Sequence, residues 1–299
     1  MYTINMISLL IPVYNEKEAI TETITKAHNV FTQMGEDFEI LVINDGSTDG
    51  TEEILSEVNT PDVHVINHPQ NKGYGASMKT GIRRAKGDLI AITDADGTYP
   101  IMDFPELLSA FNEKDADMVV GARTKKGAQI PLIRRPAKAV INVLVNSLSG
   151  RKIPDNNSGM RIFKKSMAEE FMHLYPQGFS FTITITLAAI TSDYNVIYVP
   201  IDYFKRQGIS SMSSGFNGLK HFLNFIALII RITTYFRPLK FFVWPATVLF
   251  FGGIAYIIYT IKMSSNVSDA GMLMILSGIQ IGLFGLLAEV VVRQGRAKK

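Results

Sequence analysis

"GDLIAITDADGTYP", residues 87–100, runs from a short apolar stretch straight into two carboxylates one residue apart. "DLIAIT" reads as a buried strand, and the Gly, Tyr and Pro that follow Asp96 punctuate its end. A lone acid at a strand end is usually a solvated turn residue. Asp94 and Asp96 in D-x-D spacing carry a second reading. Both can point the same way and offer hard oxygens to one divalent cation of the Mg²⁺ or Mn²⁺ kind.

The flanking sequence sets those acids in a larger pattern. "MISLLIPVY" (6–14) reads as a buried strand, followed by a helical stretch from about Glu16 to Met34. "FEILVIN" (38–44) is a second strand, ended by "DGSTDGT" (45–51), whose turn and N-cap chemistry opens another helix. "DVHVIN" (62–67) is a third strand, and "YGASMKTGIRRAKG" (74–87) a helix with a Gly at its end. "FPELLSAFNEK" (104–114) and "ADMVVGAR" (116–123) continue the series. Strand–helix alternation predicts an α/β domain built on a parallel sheet with helices on both faces. Ligands in such sheets bind beyond the carboxyl ends of the strands. Those ends carry Asn15 and Glu16, Asn44 and Asp45, and Asp94 and Asp96, so three strand ends supply polar groups to one rim.

No rival motif competes for that rim. The sequence has neither a GxxxxGK[ST] loop nor a GxSxG elbow, and the glycines of "NKGYGASMKTG" are too loosely spaced for a dinucleotide fingerprint. His64 and His68 bracket a strand, where a spacing of four does not converge on a metal as it would on a helix.

The 299 residues suffice for one large domain with an appendage. A net charge of +3 gives no nucleic-acid signature, and the absence of cysteine excludes disulfides and thiolate metal sites. "MYTINMISLLIPVYNE" lacks the basic start and long apolar run of a signal peptide, so catalysis on the cytoplasmic side is the expectation.

Composition shifts after Arg237. "LKFFVWPATVLFFGGIAYIIYTI" (239–261) and "GMLMILSGIQIGLFGLLAEVVV" (271–292) are each long enough to cross a bilayer as a helix, and Glu289 falls near the end of the second run. Arg231 and Arg237 precede the first run and Lys240 lies at its very start, while Arg293, Arg296, Lys298 and Lys299 follow the second. By the positive-inside rule the two runs form a hairpin with both termini cytoplasmic. Just before it, "NGLKHFLNFIALIIRITTYF" (217–236) spaces Lys220, Asn224, Arg231 and Thr234 as one polar stripe, the pattern of a helix lying in the membrane interface. The expected organisation is a catalytic domain over 1–212, an amphipathic interfacial region over 213–236 and a two-helix transmembrane hairpin over 237–299.

"IPVYNE", "NDGSTDGT", "NKGYGASMKTGIRRAKGD", "DADGTYP", "GAR", "NSGMRIFKK" and "GFSFTITITLAA" occur in one order along the chain. As a set they resemble the family 2 inverting glycosyltransferases of GT-A fold, with a Rossmann-like, mostly parallel sheet. The nearest resemblance is to the polyprenyl-phosphate glycosyltransferases, the group of dolichol-phosphate mannose synthase and undecaprenyl-phosphate glucosyltransferase. It spans nearly the whole chain, because a C-terminal hairpin is common in that group. The resemblance implies that Pro12, Tyr14 and Glu16 border the nucleoside, that Asp45 contacts base or ribose, and that Lys72 belongs to the same donor site. It further implies that Asp94 faces the nucleotide-sugar and shares with Asp96 a metal bridging the diphosphate. Arg123, Arg134 and Arg135 would hold the lipid phosphate, and Arg206 would lie near the diphosphate. Two positions depart from the pattern. Thr98 stands where many relatives have a Gln as a further metal ligand, and Ser211 where they have a Lys.

The implied chemistry is transfer of a hexose from a UDP- or GDP-sugar to a dolichyl or undecaprenyl phosphate at the membrane, with a homo-oligomer as an open option for the enzyme. A dication would neutralise the leaving diphosphate as a Lewis acid. A phosphate acceptor, with a second pKa of about 6, needs no general base. It needs cations, and "RTKKGAQIPLIRRPAK" (123–138) supplies them, with Arg the better bidentate partner. The same basic run would also suit anionic headgroups. Two other readings stand beside this one. A hydroxyl acceptor would require a base, for which Asp155 is the candidate. A non-catalytic nucleotide-sugar-binding membrane anchor would need no acceptor site.

Overall fold

A run such as "ISLLIPV" has no polar face to leave in water, so it becomes the interior strand of a sheet covered on both sides. The computed structural model describes residues 6–125, 146, 150, 153–155, 157–178, 180–204, 206, 235, 238–264 and 266–297. The chain divides into two compact units, 1–222 and 223–299.

In the first unit, seven strands among the described residues form one sheet. They are β1 (Ile7–Val13), β2 (Phe38–Asn44), β3 (Val63–Asn67), β4 (Leu89–Ile92), β5 (Met118–Ala122), β6 (Arg161–Lys164) and β7 (Val196–Pro200). Their order is β3-β2-β1-β4-β6-β5-β7. Neighbours run parallel except β6, which is antiparallel to both β4 and β5. The expected strand–helix alternation therefore breaks once. Arg161 pairs with Ile92 and Val120 at the carboxyl ends of β4 and β5, so the chain enters β6 from the ligand rim and can only run downward.

Among the described residues six α-helices flank the sheet: α1 (Ile20–Met34), α2 (Thr51–Ser56), α3 (Tyr74–Arg84), α4 (Phe104–Glu113), α5 (Lys165–Glu170) and α6 (Phe181–Thr191). Helix α1 buries Ile20, Ile24, Ala27 and Phe31, a stripe at helical spacing, and Phe31 meets the Phe104 ring edge-on at 5.2 Å. Phe31→Ala would cost about 3–5 kcal/mol. The helix begins at Ile20 and not at Glu16, because Asn15 is left-handed (φ 58°) and the amides of Ala19 and Ile20 fold back onto the Glu16 carbonyl. Helix α3 ends at Arg84, not at a Gly, since Ala85 is already extended. Helix α6 is buried on every side, and the hydroxyls of Thr184, Thr186 and Thr191 donate to carbonyls four residues back, so none is left unsatisfied.

The second unit contains α7 (Pro238–Ser264) and α8 (Asp269–Ala297). Their apolar spans, 26 and 24 residues with a mean hydropathy of 2.0, bury only 6 and 11 % of their most apolar windows. At 1.5 Å per residue each reaches past the ~30 Å hydrocarbon layer. The two helices form a hairpin in which glycine lets the backbones touch. A Cβ on Gly278 would lie 2.8 Å from the Ala246 carbonyl oxygen, one on Gly253 2.8 Å from the Gly271 carbonyl oxygen, and one on Gly285 2.6 Å from Phe242 Cβ. Gly271, Gly278 and Gly285 recur every seven residues, which keeps one small-residue seam facing α7. Trp244, Leu273 and Leu287 on the outer surface are exposed, as side chains meeting lipid would be. Glu289 accepts a bond from the Leu239 amide (3.4 Å) in the first turn of α7, where a carboxylate complements the helix dipole. The interfacial stretch expected over 213–236 falls outside the described residues, apart from Tyr235.

Candidate active site

Strands β1, β2 and β4 lie side by side, with Val13 opposite Asn44 and Leu10 opposite Ile92. Residues 14–16, 45–47 and 93–96 therefore leave the sheet at the same edge. Pro12, Tyr14 and Glu16 are half-buried there.

Asp45 is buried, and both its oxygens are engaged. Oδ1 accepts from the Lys72 amide (3.0 Å) and meets His68 Nδ1 (2.7 Å), while Oδ2 accepts from the Gly73 amide (2.7 Å). His68 Nε2 lies 2.9 Å from the Thr80 hydroxyl. Because a carboxylate only accepts, His68 Nδ1 is the donor in the bond to Asp45. This carboxylate fastens the end of β2 to the entry of α3, and a nucleoside reaching it would share an already ordered group. Lys72 joins through its backbone, while its side chain is exposed. Gly46 is left-handed (φ 69°), and a Cβ there would come within 2.6 Å of the Gln70 backbone, so only Gly closes this loop. Asn15 ties the β1 loop to the same turn, accepting from the Thr48 amide and donating its own amide to Ser47.

Asp96 is buried and held by its neighbour. Its Oδ1 accepts from both the amide (3.2 Å) and the hydroxyl (2.6 Å) of Thr98. Thr98, the residue in the Gln position of relatives, thus fixes the carboxylate. Arg206 lies between two acids, with Nη1 3.6 Å from Asp96 Oδ2 and Nη2 bonded to Glu16 Oε1. Asp94 accepts from the Tyr74 hydroxyl at 3.3 Å. Burial pushes the Asp94 carboxyl up to about 7, helped by the charge of Asp96 and opposed by Arg123. Burial also raises Glu16 to about 7, with Arg206 opposing and Asp96 and Asp94 adding to the rise. Three acids share a poorly solvated space with too little positive charge.

That imbalance is the test of fit for a dication, and the residues pass it. Asp94 and Asp96 supply hard oxygens, and a bound Mg²⁺ or Mn²⁺ would relieve the repulsion that raises their neighbours. Among the described residues no three His, Asp or Glu side chains form a ready-made cage. The remaining oxygens would come from ligand and water, the usual habit of Mg²⁺.

Across the rim, Arg123 and Asp155 form a fork. Arg123 Nε and Nη2 donate to Asp155 at 2.7 and 3.0 Å, the Arg123 amide adds a third bond, and the guanidinium lies 5.1 Å from the Tyr203 ring centre. Burial alone would raise the Asp155 carboxyl, but the bonds to Arg123 outweigh it and hold the group below the usual range. The structure thus joins the residue expected at an acceptor phosphate to the candidate base for a hydroxyl acceptor. Arg134 and Arg135 lie outside the described residues, as does Ser211.

The sequence carries no signal for Tyr74 or Arg161, and it shows His68 only as half of a histidine pair that cannot converge on a metal; the partner of His68, Asp45, lies 23 residues away. Arg161 was visible only as a letter within "NSGMRIFKK".

Glycosyl transferase family 2 matches residues 8–172, and the GtrB C-terminal hairpin matches residues 237–293. The chain is 27 % identical, over 95 % of its length and 68 % of the relative's, to a low-salt glycan biosynthesis hexosyltransferase of Haloferax volcanii. It is 26 % identical, over 97 % of its length and 90 % of the relative's, to an undecaprenyl-phosphate 4-deoxy-4-formamido-L-arabinose transferase of Edwardsiella ictaluri. Glucosyl-3-phosphoglycerate synthase from Mycobacterium tuberculosis, solved with Mn²⁺, UDP and phosphoglyceric acid, has the same GT-A fold. Its TM-score is 0.58 at 18 % identity, covering 76 % of this chain and 78 % of that one. With its GT-A sheet, its acid-bearing rim and its apolar hairpin, the chain belongs to glycosyltransferase family 2.

Proposed function

We propose that this enzyme transfers a hexose from a nucleoside-diphosphate sugar to a polyprenyl phosphate, with inversion, at the cytoplasmic face of a membrane. The observation that carries the acceptor assignment is the Arg123–Asp155 fork. A hydroxyl acceptor needs a base, and the candidate is already an ion-paired carboxylate of lowered basicity. A phosphate acceptor arrives as an anion and needs none. The undecaprenyl-phosphate transferase among its relatives and the matching hairpin support the same acceptor class.

On this reading Asp94 and Asp96 would hold a divalent cation, which when bound would supply Lewis-acid neutralisation of the departing diphosphate. Thr98 keeps Asp96 oriented, and Tyr74 does the same for Asp94. Arg206 sits where it can exchange its carboxylate partners for phosphate oxygens. Arg123 meets the acceptor with the guanidinium N–H groups outside its fork, and Arg134 and Arg135 are assigned to the same phosphate from the sequence. The domain limits, 1–212, 213–236 and 237–299, and the inward orientation of both termini belong to this proposal.

The test is an acceptor panel. Purified protein in Mg²⁺ should move labelled sugar onto undecaprenyl or dolichyl phosphate and leave diacylglycerol unlabelled. Labelling of diacylglycerol alone would support the hydroxyl reading. No labelling with any donor would favour the non-catalytic anchor.

A further inference from the structure

Arg161 is wholly buried at the start of β6, beneath the rim, yet among the described residues no carboxylate bonds it. Its Nε and Nη2 both donate to the carbonyl of Ser158, Nε at 3.2 Å. Nη1 donates to the Thr182 carbonyl (3.2 Å) and the Thr186 hydroxyl (3.1 Å), both on α6. Burial works against the charged form and lowers its pKa. A guanidinium in such a place is poor value as packing, since an apolar side chain of similar volume usually serves a core as well or better. Four of its bonds converge on one short segment and the helix behind it, and a weaker one reaches Met118 Sδ on β5 at 3.8 Å.

That segment touches the site. Gly159 follows the clamped Ser158 carbonyl, and its amide donates to the Tyr99 hydroxyl at 2.6 Å. A Cβ on Gly159 would lie 2.8 Å from both oxygens of Asp94. The backbone at 158–159 is therefore the wall against which the Asp94 carboxylate rests, with Tyr74 on the hydroxyl side. Arg161 fixes the wall from one end and Tyr99 from the middle.

We propose that Arg161 is a positioning residue for Asp94, acting through the Ser158–Gly159 backbone, so that it sets the orientation of the acid facing the donor sugar. The inference rests on the assignment of Asp94 to the donor site. A merely structural arginine would change stability and leave turnover of the folded enzyme alone. A positioning arginine changes kcat while donor KM stays nearly constant, because the nucleoside end of the donor lies elsewhere on the rim.

The experiment is a double-mutant cycle on the full-length protein in detergent or nanodiscs with Mg²⁺ and nucleotide-sugar, well below the unfolding temperature. Arg161→Met keeps the volume and removes the clamp; Gly159→Ala disturbs the wall without touching Arg161. Each single variant should lower kcat by about a hundredfold, with donor KM within about threefold of wild type, the scale of losing one preorganised electrostatic contact. In an Asp94→Asn background, either change should cost less than about threefold more, because its route of action is already gone. Full additivity of Arg161→Met with Asp94→Asn, or wild-type kcat in Arg161→Met, overturns the proposal. Should Arg161→Met fail to fold, Arg161→Lys, which keeps the charge and loses the fork on the Ser158 carbonyl, takes its place in the cycle under the same criteria. Release of nucleoside diphosphate, by transfer or by donor hydrolysis, is the readout throughout. A wild-type enzyme that hydrolyses donor but labels no lipid phosphate would sink the acceptor assignment and leave the cycle readable.

Discussion

The two sides of the rim handle charge in opposite ways. On the donor side, Glu16, Asp94 and Asp96 crowd around Arg206, and burial with mutual repulsion lifts Glu16 and Asp94 to about 7. On the other side, Arg123 and Asp155 satisfy each other, and the Asp155 carboxyl is held below its usual range. One half is short of positive charge and suited to take up a cation; the other is already neutral and suited to hold its shape. Local charge balance, more than the number of charged residues, separates a site that waits for a ligand from one that is self-sufficient.

Removing a ligand from the unbalanced side should do the most damage. Asp96→Asn is expected to lower kcat on the order of a thousandfold with little change in thermal stability, since it removes electrostatic stabilisation and not packing. Kinetics set beside a melting curve check this; loss of fold in proportion to activity would make Asp96 structural.

Arg206→Gln removes the cation held between Glu16 and Asp96. Turnover should fall about a hundredfold. Binding of Mn²⁺ alone, followed by its electron paramagnetic resonance signal, should tighten, because Glu16 and Asp96 lose their internal counter-ion. Weaker Mn²⁺ binding would mean that Arg206 helps to build the cation site.

On the balanced side the cost should fall on stability. Asp155→Ala leaves a buried guanidinium unpaired and is expected to destabilise the fold by about 3–5 kcal/mol. Because the folded carboxyl has a depressed pKa, the fork contributes stability above the unfolded value of about 3.9, lost as pH falls through the folded one. Wild type should therefore lose stability in acid more steeply than Asp155→Asn, which has nothing to titrate there. Asp155→Asn should retain turnover within about tenfold, the scale of one lost hydrogen bond, and its abolition would restore the hydroxyl-acceptor reading.

The smallest effect belongs to the loop. His68→Gln loosens Asp45 from α3 and should weaken nucleotide binding by less than about tenfold. Calorimetric titration with nucleoside diphosphate reads it, and a hundredfold loss would place His68 against the base itself.

Much of the fold was legible because it is periodic. The apolar runs of β1, β2 and β4 and the paired spans of the hairpin announce themselves by length and patterning. The antiparallel β6 did not, because "RIFK" has no feature that distinguishes strand direction; direction follows from where the chain re-enters the sheet. Asp94 and Asp96 were legible as a pair because two acids after an apolar run are conspicuous. Their supports were not. Tyr74, Thr98 and Gly159 act through the close approach of backbone and hydroxyl groups, up to 65 residues from the acid they steady, and spacing along the chain does not record that. Asp155 was found as a possible base, but only its distance from Arg123 revealed it as a counter-ion.

The central claim is transfer of a sugar, without its phosphate, onto a lipid phosphate with the help of a dication. Mass spectrometry and ³¹P NMR of the product made from undecaprenyl phosphate and a labelled nucleotide-sugar in Mg²⁺ test it most directly. The expected product has one phosphate between sugar and lipid, an inverted anomeric carbon and nucleoside diphosphate as the partner product, and it disappears with excess chelator. Two phosphates between sugar and lipid with nucleoside monophosphate released, or an undiminished yield in chelator, would contradict it.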